Sequence, residues 1–189
     1  MNIKRKFDVA VSLTGIVVSL PLLLAGTFAS AAAHKSFPFY SQQRVGKDGE
    51  LFTIFKIKSM HNWHDEFGNL LANEDRLTEI GKILRKSRID ELPQFFNILK
   101  GDMSLVGPRP LMPSDLISQD SIRIRVLPGC TGLAQIHGHN TLTPAMRLNY
   151  DKQYVEELTQ RDEIGNFIND IKIILKSSFY PLINGIDPK

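Results

Sequence analysis

The sequence has 189 residues, which gives room for one packed catalytic or binding domain. A formal net charge of +3 comes with basic residues bunched at residues 4–6 and 76–88. This pattern favours a phosphate-bearing partner or an anionic membrane surface over a uniformly basic protein that coats nucleic acid. The single cysteine, Cys130, excludes an internal disulfide and weakly favours the cytosol.

The first 35 residues are apolar and allow three interpretations. Between Val9 and Ala33 the chain carries no charge, and at about 1.5 Å per residue this stretch is long enough to span a bilayer. A secretory signal cleaved near Ala31 and a re-entrant helix that turns back at Pro21 are the alternatives. Pro21 has no amide to bond the Val17 carbonyl, so a kink is expected, and the Ser19 hydroxyl is close enough to satisfy a freed carbonyl.

The following residues predict a helix-rich α/β domain. A strand pair is expected over residues 37–58 with its turn at 46–49, and helical spacing follows through residues 76–88. Another helix is predicted to begin with Asp90 as its N-cap and to end at Gly101. Residues 102–145 indicate loops and short strands, and two helices should follow, the first over roughly 144–160 and the second apolar and C-terminal.

The adjacent carboxylates Asp90 and Glu91 are the leading candidates for chemistry. A carboxylate at a helix start has a lowered pKa, which suits a nucleophile or a metal ligand, although an ordinary helix cap uses the same residues. Several cations lie near this pair in sequence or in Gly/Pro-rich loops and suggest a polyphosphate site, although surface salt bridges use the same residue types. They are Lys56, Lys58, Arg85, Lys86, Arg88 and Arg109. The histidine pairs His61/His64 and His137/His139 are poor evidence for zinc.

Four stretches resemble the bacterial sugar transferase family, the small monotopic phosphoglycosyl transferases. They are "KRKFD", "QQRVGKDGELFTIFKIKSM", "RLTEIGKILRKSRIDELPQFFNILKGDMSLVGPRPL" and "LPGCTGLAQIHGHNTL". They occur in the family's order between about residues 4 and 175. The resemblance implies that a phospho-sugar passes from a UDP-sugar to a polyprenol phosphate, such as undecaprenyl phosphate, with release of UMP.

The same resemblance implies roles for individual residues. Asp90 matches the nucleophile, which forms a covalent phospho-sugar intermediate, and is also a Mg²⁺ ligand. Glu91 is the second catalytic position and either supports the site or relays the proton of the lipid phosphate. The matching phosphate- or nucleotide-binding positions are Lys56, Lys58, Arg85, Arg88, Arg109 and His139. Ser19 and Pro21 match the membrane break, although Leu20 separates them here, and Lys58 and His139 stand where the family commonly has arginine.

The sequence therefore predicts a re-entrant membrane helix at residues 1–35 and a cytosolic catalytic domain at 36–189. The re-entrant form is favoured because a spanning helix would separate the domain from the basic residues 4–6, which belong on the cytoplasmic side. We expect the enzyme at the cytoplasmic face of a bacterial inner membrane, with a phospholipid membrane but no nucleic acid as partner, and leave a homodimer open. The alternatives are a non-catalytic adaptor of a polysaccharide assembly complex and a secreted binding module.

Overall fold

The computed structural model describes residues 2–138 and 141–184. The helices are α1 (Ile3–His34), α2 (Asn73–Arg76), α3 (Glu79–Lys86), α4 (Gln94–Lys100), α5 (Pro144–Gln160) and α6 (Glu163–Asn184). The strands are β1 (Phe39–Val45), β2 (Leu51–Ile57), β3 (Ser104–Val106) and β4 (Gly129–Thr131). Short 3₁₀ turns, including one at Ile89–Glu91, connect several of these elements. The predicted helix-rich α/β composition is confirmed at this level.

Helix α1 carries its polar and small residues toward the protein and its apolar residues outward. The buried positions of the helix are Asp8, Ser12, Gly26, Ser30 and His34. Its exposed large side chains are Ile3, Leu13, Val17, Val18, Leu20, Leu22, Leu24 and Phe28. Because water would not favour this arrangement, the outward face is suited to lipid. Within the described chain, α1 alone has the length and hydropathy that crossing a bilayer requires.

Both ends of α1 bond to the same folded domain. Near its start, the carboxylate of Asp8 accepts hydrogen bonds from the Ser104 hydroxyl at 2.8 Å and the Leu105 amide at 3.2 Å. Near its end, the Ser30 hydroxyl donates to the Lys58 carbonyl at 2.6 Å. The domain therefore holds the helix at two points that are 22 residues apart in sequence.

The middle of α1 lacks the hydrogen bond that was expected from the Ser19 hydroxyl. The helix continues without interruption through Pro21. The buried Ser19 hydroxyl has no hydrogen-bond partner among the described residues, so the carbonyl bond predicted for Ser19 is not formed in this structure. The hydroxyl that bonds back to a carbonyl is instead Thr27, which donates to Leu23 at 2.7 Å.

Gly26 lets α1 approach the domain closely. A Cβ atom added there would lie 2.8 Å from the Ile89 side chain and 3.2 Å from Leu84, so a larger residue must push the helix outward. We expect Gly26→Leu to lower the free energy of unfolding by about 1–3 kcal/mol. Denaturant titration in mixed micelles measures this. Ala25→Leu is the matched control because Ala25 is exposed on the other face; equal losses from both variants would contradict the packing argument.

Strands β1 and β2 form the predicted hairpin. They pair antiparallel from Phe39↔Ile57 to Val45↔Leu51, and the residues between them make the turn. The shorter strands β3 and β4 pair in parallel, which brings two Gly/Pro-rich loops together. Gly129 permits this close approach, since a Cβ on Gly129 would lie 2.1 Å from the Gly107 amide nitrogen.

One hydrophobic core lies between the hairpin, the β3–β4 pair and the last two helices. Its buried members are Phe52, Ile54, Ile98, Met103, Leu105, Val106, Leu133, Tyr154, Val155 and Ile173. Asn97, which is only 1% exposed, connects α4 to the hairpin by donating to the Thr53 carbonyl at 2.7 Å. These contacts fix the distance between α4 and β2, the two elements that flank the site.

The predicted boundaries are confirmed for most elements. The helix over roughly 144–160 is α5, and Gly101 ends α4 in a left-handed conformation with φ of 102°. The N-cap role expected of Asp90 is wrong. Asp90 lies inside the 3₁₀ turn, and α4 begins only after Pro93.

Candidate active site

A backbone reversal after α3 places Asp90. Arg88 adopts a left-handed conformation with φ of 57°, which bulky residues rarely take up, and the Ile89–Glu91 turn follows directly. The amide of Arg88 bonds to the Arg85 carbonyl at 3.1 Å, and that of Glu91 to the Arg88 carbonyl at 3.1 Å. Asp90 is consequently only 4% exposed, yet it lines a surface cleft.

Glu91 joins this turn to the hairpin. Its Oε1 lies 2.8 Å from the Nζ atom of Lys56, and both side chains are partly buried. The ion pair holds the Lys56 ammonium group next to the carboxylate pair. Because the two groups are partly shielded from water, the ion pair also resists screening by salt.

The cleft containing Asp90 has a volume of about 530 Å³ and is rich in cations. Its basic lining residues are Arg44, Lys56, Lys58, Arg76, Arg85 and Arg109. Asp90 is the only carboxylate among its lining residues in the described chain. Such an excess of positive charge around one buried carboxylate suits a multiply charged anion, most simply a diphosphate.

Arg85 is held in place within this cleft. Its Nε donates to the Ser59 hydroxyl at 3.0 Å, and one terminal nitrogen lies 2.8 Å from the Met60 sulfur. Ser59 in turn comes directly after β2 and Lys58. Since a guanidinium has five donors, these contacts leave further donors available for an anion in the cleft.

Arg109 is the exposed residue of an otherwise buried loop segment, residues 107–110, that leaves β3. The loop is held to β4 by hydrogen bonds from the Gly107 amide to the Thr131 carbonyl and from the Gly129 amide to the Pro108 carbonyl, both 2.9 Å. Beside it, Arg44 donates to the Pro110 carbonyl at 3.2 Å. Arg44 and Arg109 line the same cleft, so one anion bound there could contact both guanidinium groups. Burial, and then the charge of Arg109, lower the pKa of Arg44.

A second cavity of about 650 Å³ adjoins the first and shares Arg44 and Arg109 with it. Its other basic lining residues are Arg123 and Arg147. Arg123 forms an ion pair of 2.9 Å with Asp151, which is nearly inaccessible to water. Arg44 and Arg109 therefore line both cavities, whereas Asp90 lines only the first.

The structure brings together most of the residues that the sequence singled out. Lys56, Lys58, Arg85, Asp90 and Arg109 line one cleft, and Glu91 is paired with Lys56 at its side. Arg88 is exposed and does not line this cleft. His139 lies outside the described residues, and Ser19 and Pro21 belong to α1.

Sequence reasoning missed Arg44 and Arg76 as cleft residues. A signal for Arg44 was available, because side chains two apart on a strand share a face and Tyr40 pairs directly with Lys56. Tyr40, Gln42 and Arg44 accordingly line the cleft with Lys56. For Arg76 no comparable signal exists, since the long segment after β2 determines its position.

Asp90 fits a magnesium ion as a single protein ligand, with substrate phosphates as the other ligands. Among the described residues there is no group of three or more His, Cys, Asp or Glu side chains that could hold a metal alone. Mg²⁺, however, is commonly bound by one or two carboxylates together with substrate phosphates. Asp90 at the cleft wall would supply the carboxylate, and a phosphate-bearing substrate in the cleft would have to supply the other oxygens.

A long apolar helix packed beside a cation-lined cleft defines a membrane-associated protein with an anion-binding site. The chain belongs to the bacterial sugar transferase family, whose profile matches residues 1–182, and is thus a transferase enzyme. It is 38% identical over 178 residues to the sugar transferase EpsL of Bacillus subtilis, covering 92% of this chain and 84% of that protein.

Two longer relatives carry more specific names. The chain is 32% identical to the undecaprenyl-phosphate galactose phosphotransferase of Salmonella typhimurium, with 92% of this chain and 40% of that protein covered. It is 36% identical to the UDP-glucose:undecaprenyl-phosphate glucose-1-phosphate transferase of Klebsiella pneumoniae, with 97% and 41% covered. The chain thus spans about two fifths of the length of these two relatives.

Proposed function

We propose that this enzyme transfers a phospho-sugar from a UDP-sugar to a polyprenol phosphate and thereby starts the assembly of a glycan on its lipid carrier. The observation that carries this proposal is the buried Asp90 carboxylate in a cleft lined by six cationic side chains. The names of the relatives from Salmonella and Klebsiella support undecaprenyl phosphate as the acceptor.

The reaction proceeds in two displacements at one phosphorus atom. A carboxylate oxygen of Asp90 attacks the phosphorus that bears the sugar, an Asp90 O–P bond forms, and the bond to the bridging oxygen breaks, so UMP leaves with that electron pair. An oxygen of the lipid phosphate then attacks the same phosphorus and expels Asp90. Arg85, Arg109 and Arg44 stabilise the charge on the phosphate oxygens through both steps.

Asp90 and the donor's phosphate oxygens would hold a Mg²⁺ ion together. When bound, that ion supplies charge neutralisation at the diphosphate. Glu91 keeps Lys56 beside Asp90 through the 2.8 Å ion pair.

We further propose that α1 is re-entrant and that the domain lies at the cytoplasmic face of the inner membrane. The hydrogen bonds at Asp8 and Ser30 support this topology, because one water-facing domain contacts both ends of the helix. A helix that crossed the bilayer would carry these two ends to opposite sides.

A burst experiment tests the reaction directly. With a UDP-sugar and no lipid acceptor, we expect about one equivalent of UMP per enzyme, followed by steady release once undecaprenyl phosphate is added. A panel of UDP-sugars identifies the donor. If no donor on the panel releases UMP, even with acceptor and Mg²⁺ present, the transferase proposal fails and a non-catalytic adaptor becomes the better interpretation.

Arg85 and Arg88 form a matched pair for testing the phosphate site. Arg85 lines the cleft and Arg88 is exposed outside it, although only two residues separate them. We expect Arg85→Gln to reduce kcat/KM for the UDP-sugar by about 10- to 100-fold, because a charge-assisted hydrogen bond to phosphate is lost. We expect Arg88→Gln to change it less than about threefold. A larger loss at Arg88 would contradict this assignment of the cleft.

A further inference from the structure

The segment after β2 forms an ordered hairpin, which we call the Trp63 hairpin and define as residues 61–72. The Leu71 amide donates to the Trp63 carbonyl at 3.0 Å, and His64 and Leu70 form an antiparallel bridge. At the turn, an Asp65 carboxylate oxygen accepts the amides of Phe67 at 2.9 Å and Asn69 at 2.8 Å. The turn is therefore built by its own hydrogen bonds.

This turn holds large apolar side chains in contact with solvent. Phe67 is 88% exposed at the tip, and Trp63 and Leu70 on the two arms are 52% and 57% exposed. Apolar side chains grouped on one hydrogen-bonded turn, rather than scattered over a surface, indicate a contact that removes them from water.

A chain of aromatic rings connects the hairpin to the end of α1. The His34 ring in the last turn of α1 lies 4.9 Å from the His61 ring, centre to centre. The His61 ring stacks on the Trp63 indole at 4.3 Å, with planes only 3° apart. Phe37, which is 75% exposed, comes three residues after the end of α1, so exposed aromatic residues lie near the point where the apolar helix ends.

The geometry points to a lipid bilayer as the occupant of this surface. We propose that the Trp63 hairpin inserts Phe67 into the membrane beside the C-terminal end of α1, with Trp63 at the level of the lipid headgroups. Tryptophan is enriched at that level because its ring is apolar and its N–H group is polar. The ring stack reaches α1 at the buried His34, on the protein-facing side of its last turn, so the hairpin lies beside the end of the helix whose outer side is apolar.

The charges of the Trp63 hairpin indicate which force drives its insertion and in which bilayer it inserts. Residues 61–72 contain no lysine or arginine, and Asp65 and Glu66 stand next to Phe67. Insertion must therefore be driven by apolar burial and should persist in a zwitterionic bilayer. Because Leu70 also lines the Asp90 cleft, an inserted hairpin would place that wall of the cleft at the lipid surface.

The chain's single tryptophan makes this testable without a label. The full-length protein is placed in phosphatidylcholine nanodiscs, with and without brominated acyl chains, and Trp63 fluorescence is recorded. We expect blue-shifted emission, quenching by the brominated lipid, and protection from aqueous iodide relative to a free tryptophan amide. We expect Phe67→Ser to reduce the ratio of inserted to withdrawn hairpin by about tenfold or more, seen as a loss of bromine quenching.

Leu51→Ser is the matched control. Leu51 is 55% exposed, like Leu70, but it lies at the far end of β2 from the Ser30 contact, so bromine quenching should not change. Three results would each overturn the proposal. The first is free access of iodide to Trp63. The second is protection from iodide without bromine quenching, which would mean that Trp63 is covered by protein and not by lipid. The third is bromine quenching that Phe67→Ser leaves intact. None of these measurements depends on the sugar transfer chemistry.

Discussion

Asp90→Asn should abolish turnover, with a fall in kcat of at least about 10⁴-fold. The amide is nearly the same size as the carboxylate, but it is a far weaker nucleophile and cannot form the phospho-sugar ester. We also expect no UMP burst and no radioactivity on the protein after incubation with a UDP-sugar that is labelled in the sugar. The assay is UMP release, with donor and acceptor both saturating.

Glu91→Gln is the control for this substitution. It keeps the size of the neighbouring side chain but removes the charge that pairs with Lys56, so kcat should fall by about 10²-fold while the UMP burst survives, only more slowly. Full turnover by Asp90→Asn would disprove the assignment of Asp90 as the nucleophile. Loss of the UMP burst in Glu91→Gln would show that the two carboxylates act as one unit.

Asp170→Ala should destabilise the protein by about 3–5 kcal/mol, because it leaves a partly buried cation without its partner. Asp170 is 3% exposed and forms an ion pair with Lys4 in the first turns of α1. It also accepts a hydrogen bond from the Tyr154 hydroxyl at 2.9 Å. Denaturant titration in mixed micelles measures the loss.

Glu79→Ala is the appropriate comparison, because Glu79 forms an ion pair with Lys82 on the exposed surface of α3. Its free energy of unfolding should change by less than about 0.5 kcal/mol. Similar losses from both variants would mean that the Lys4–Asp170 pair is no stronger than a surface contact.

The pair also has a pH dependence of known sign. Burial raises the pKa of Asp170 above its ordinary value, and the charge of Lys4 offsets this only in part. The folded protein thus binds a proton more tightly than the unfolded chain does. Stability from this group is lost as pH rises from the ordinary aspartate pKa through the raised one, so Asp170→Asn should flatten that part of the pH–stability curve.

Local signals were sufficient where neighbours in sequence decide the structure. The turn residues at 46–49 and the alternation around them predicted the β1–β2 hairpin, and the spacing of apolar residues predicted α5. Short stretches of sequence were also enough to single out Lys56, Arg85 and Arg109 as candidate cations. That these residues line one cleft with Asp90 depends on tertiary contacts between β2, α3 and the loop after β3.

Tertiary contacts decided the features that the sequence left unpredicted. Asp90 resembles a helix cap in sequence, but the left-handed Arg88 turns the chain so that α4 starts after Pro93. Asp8 follows a basic cluster in sequence, with no local sign of its role, yet it accepts hydrogen bonds from Ser104 and Leu105, about a hundred residues away. No local pattern can indicate a partner so distant in the chain.

Because the chain is made from its N-terminus, the polar side of α1 is synthesised before the residues that it contacts. The ribosome makes this helix well before the residues that bond to its polar side chains. Those residues are Ser104, which donates a hydrogen bond to Asp8, and Asp170, which forms an ion pair with Lys4. Until those groups emerge, Lys4 and Asp8 must be solvated by water or lipid headgroups at the bilayer surface, which keeps the start of the helix shallow. A shortened chain that begins after residue 35 would lack Asp8, which bonds to β3, and Ser30, which bonds to the Lys58 carbonyl. We therefore expect it to be an incomplete domain and not a soluble enzyme.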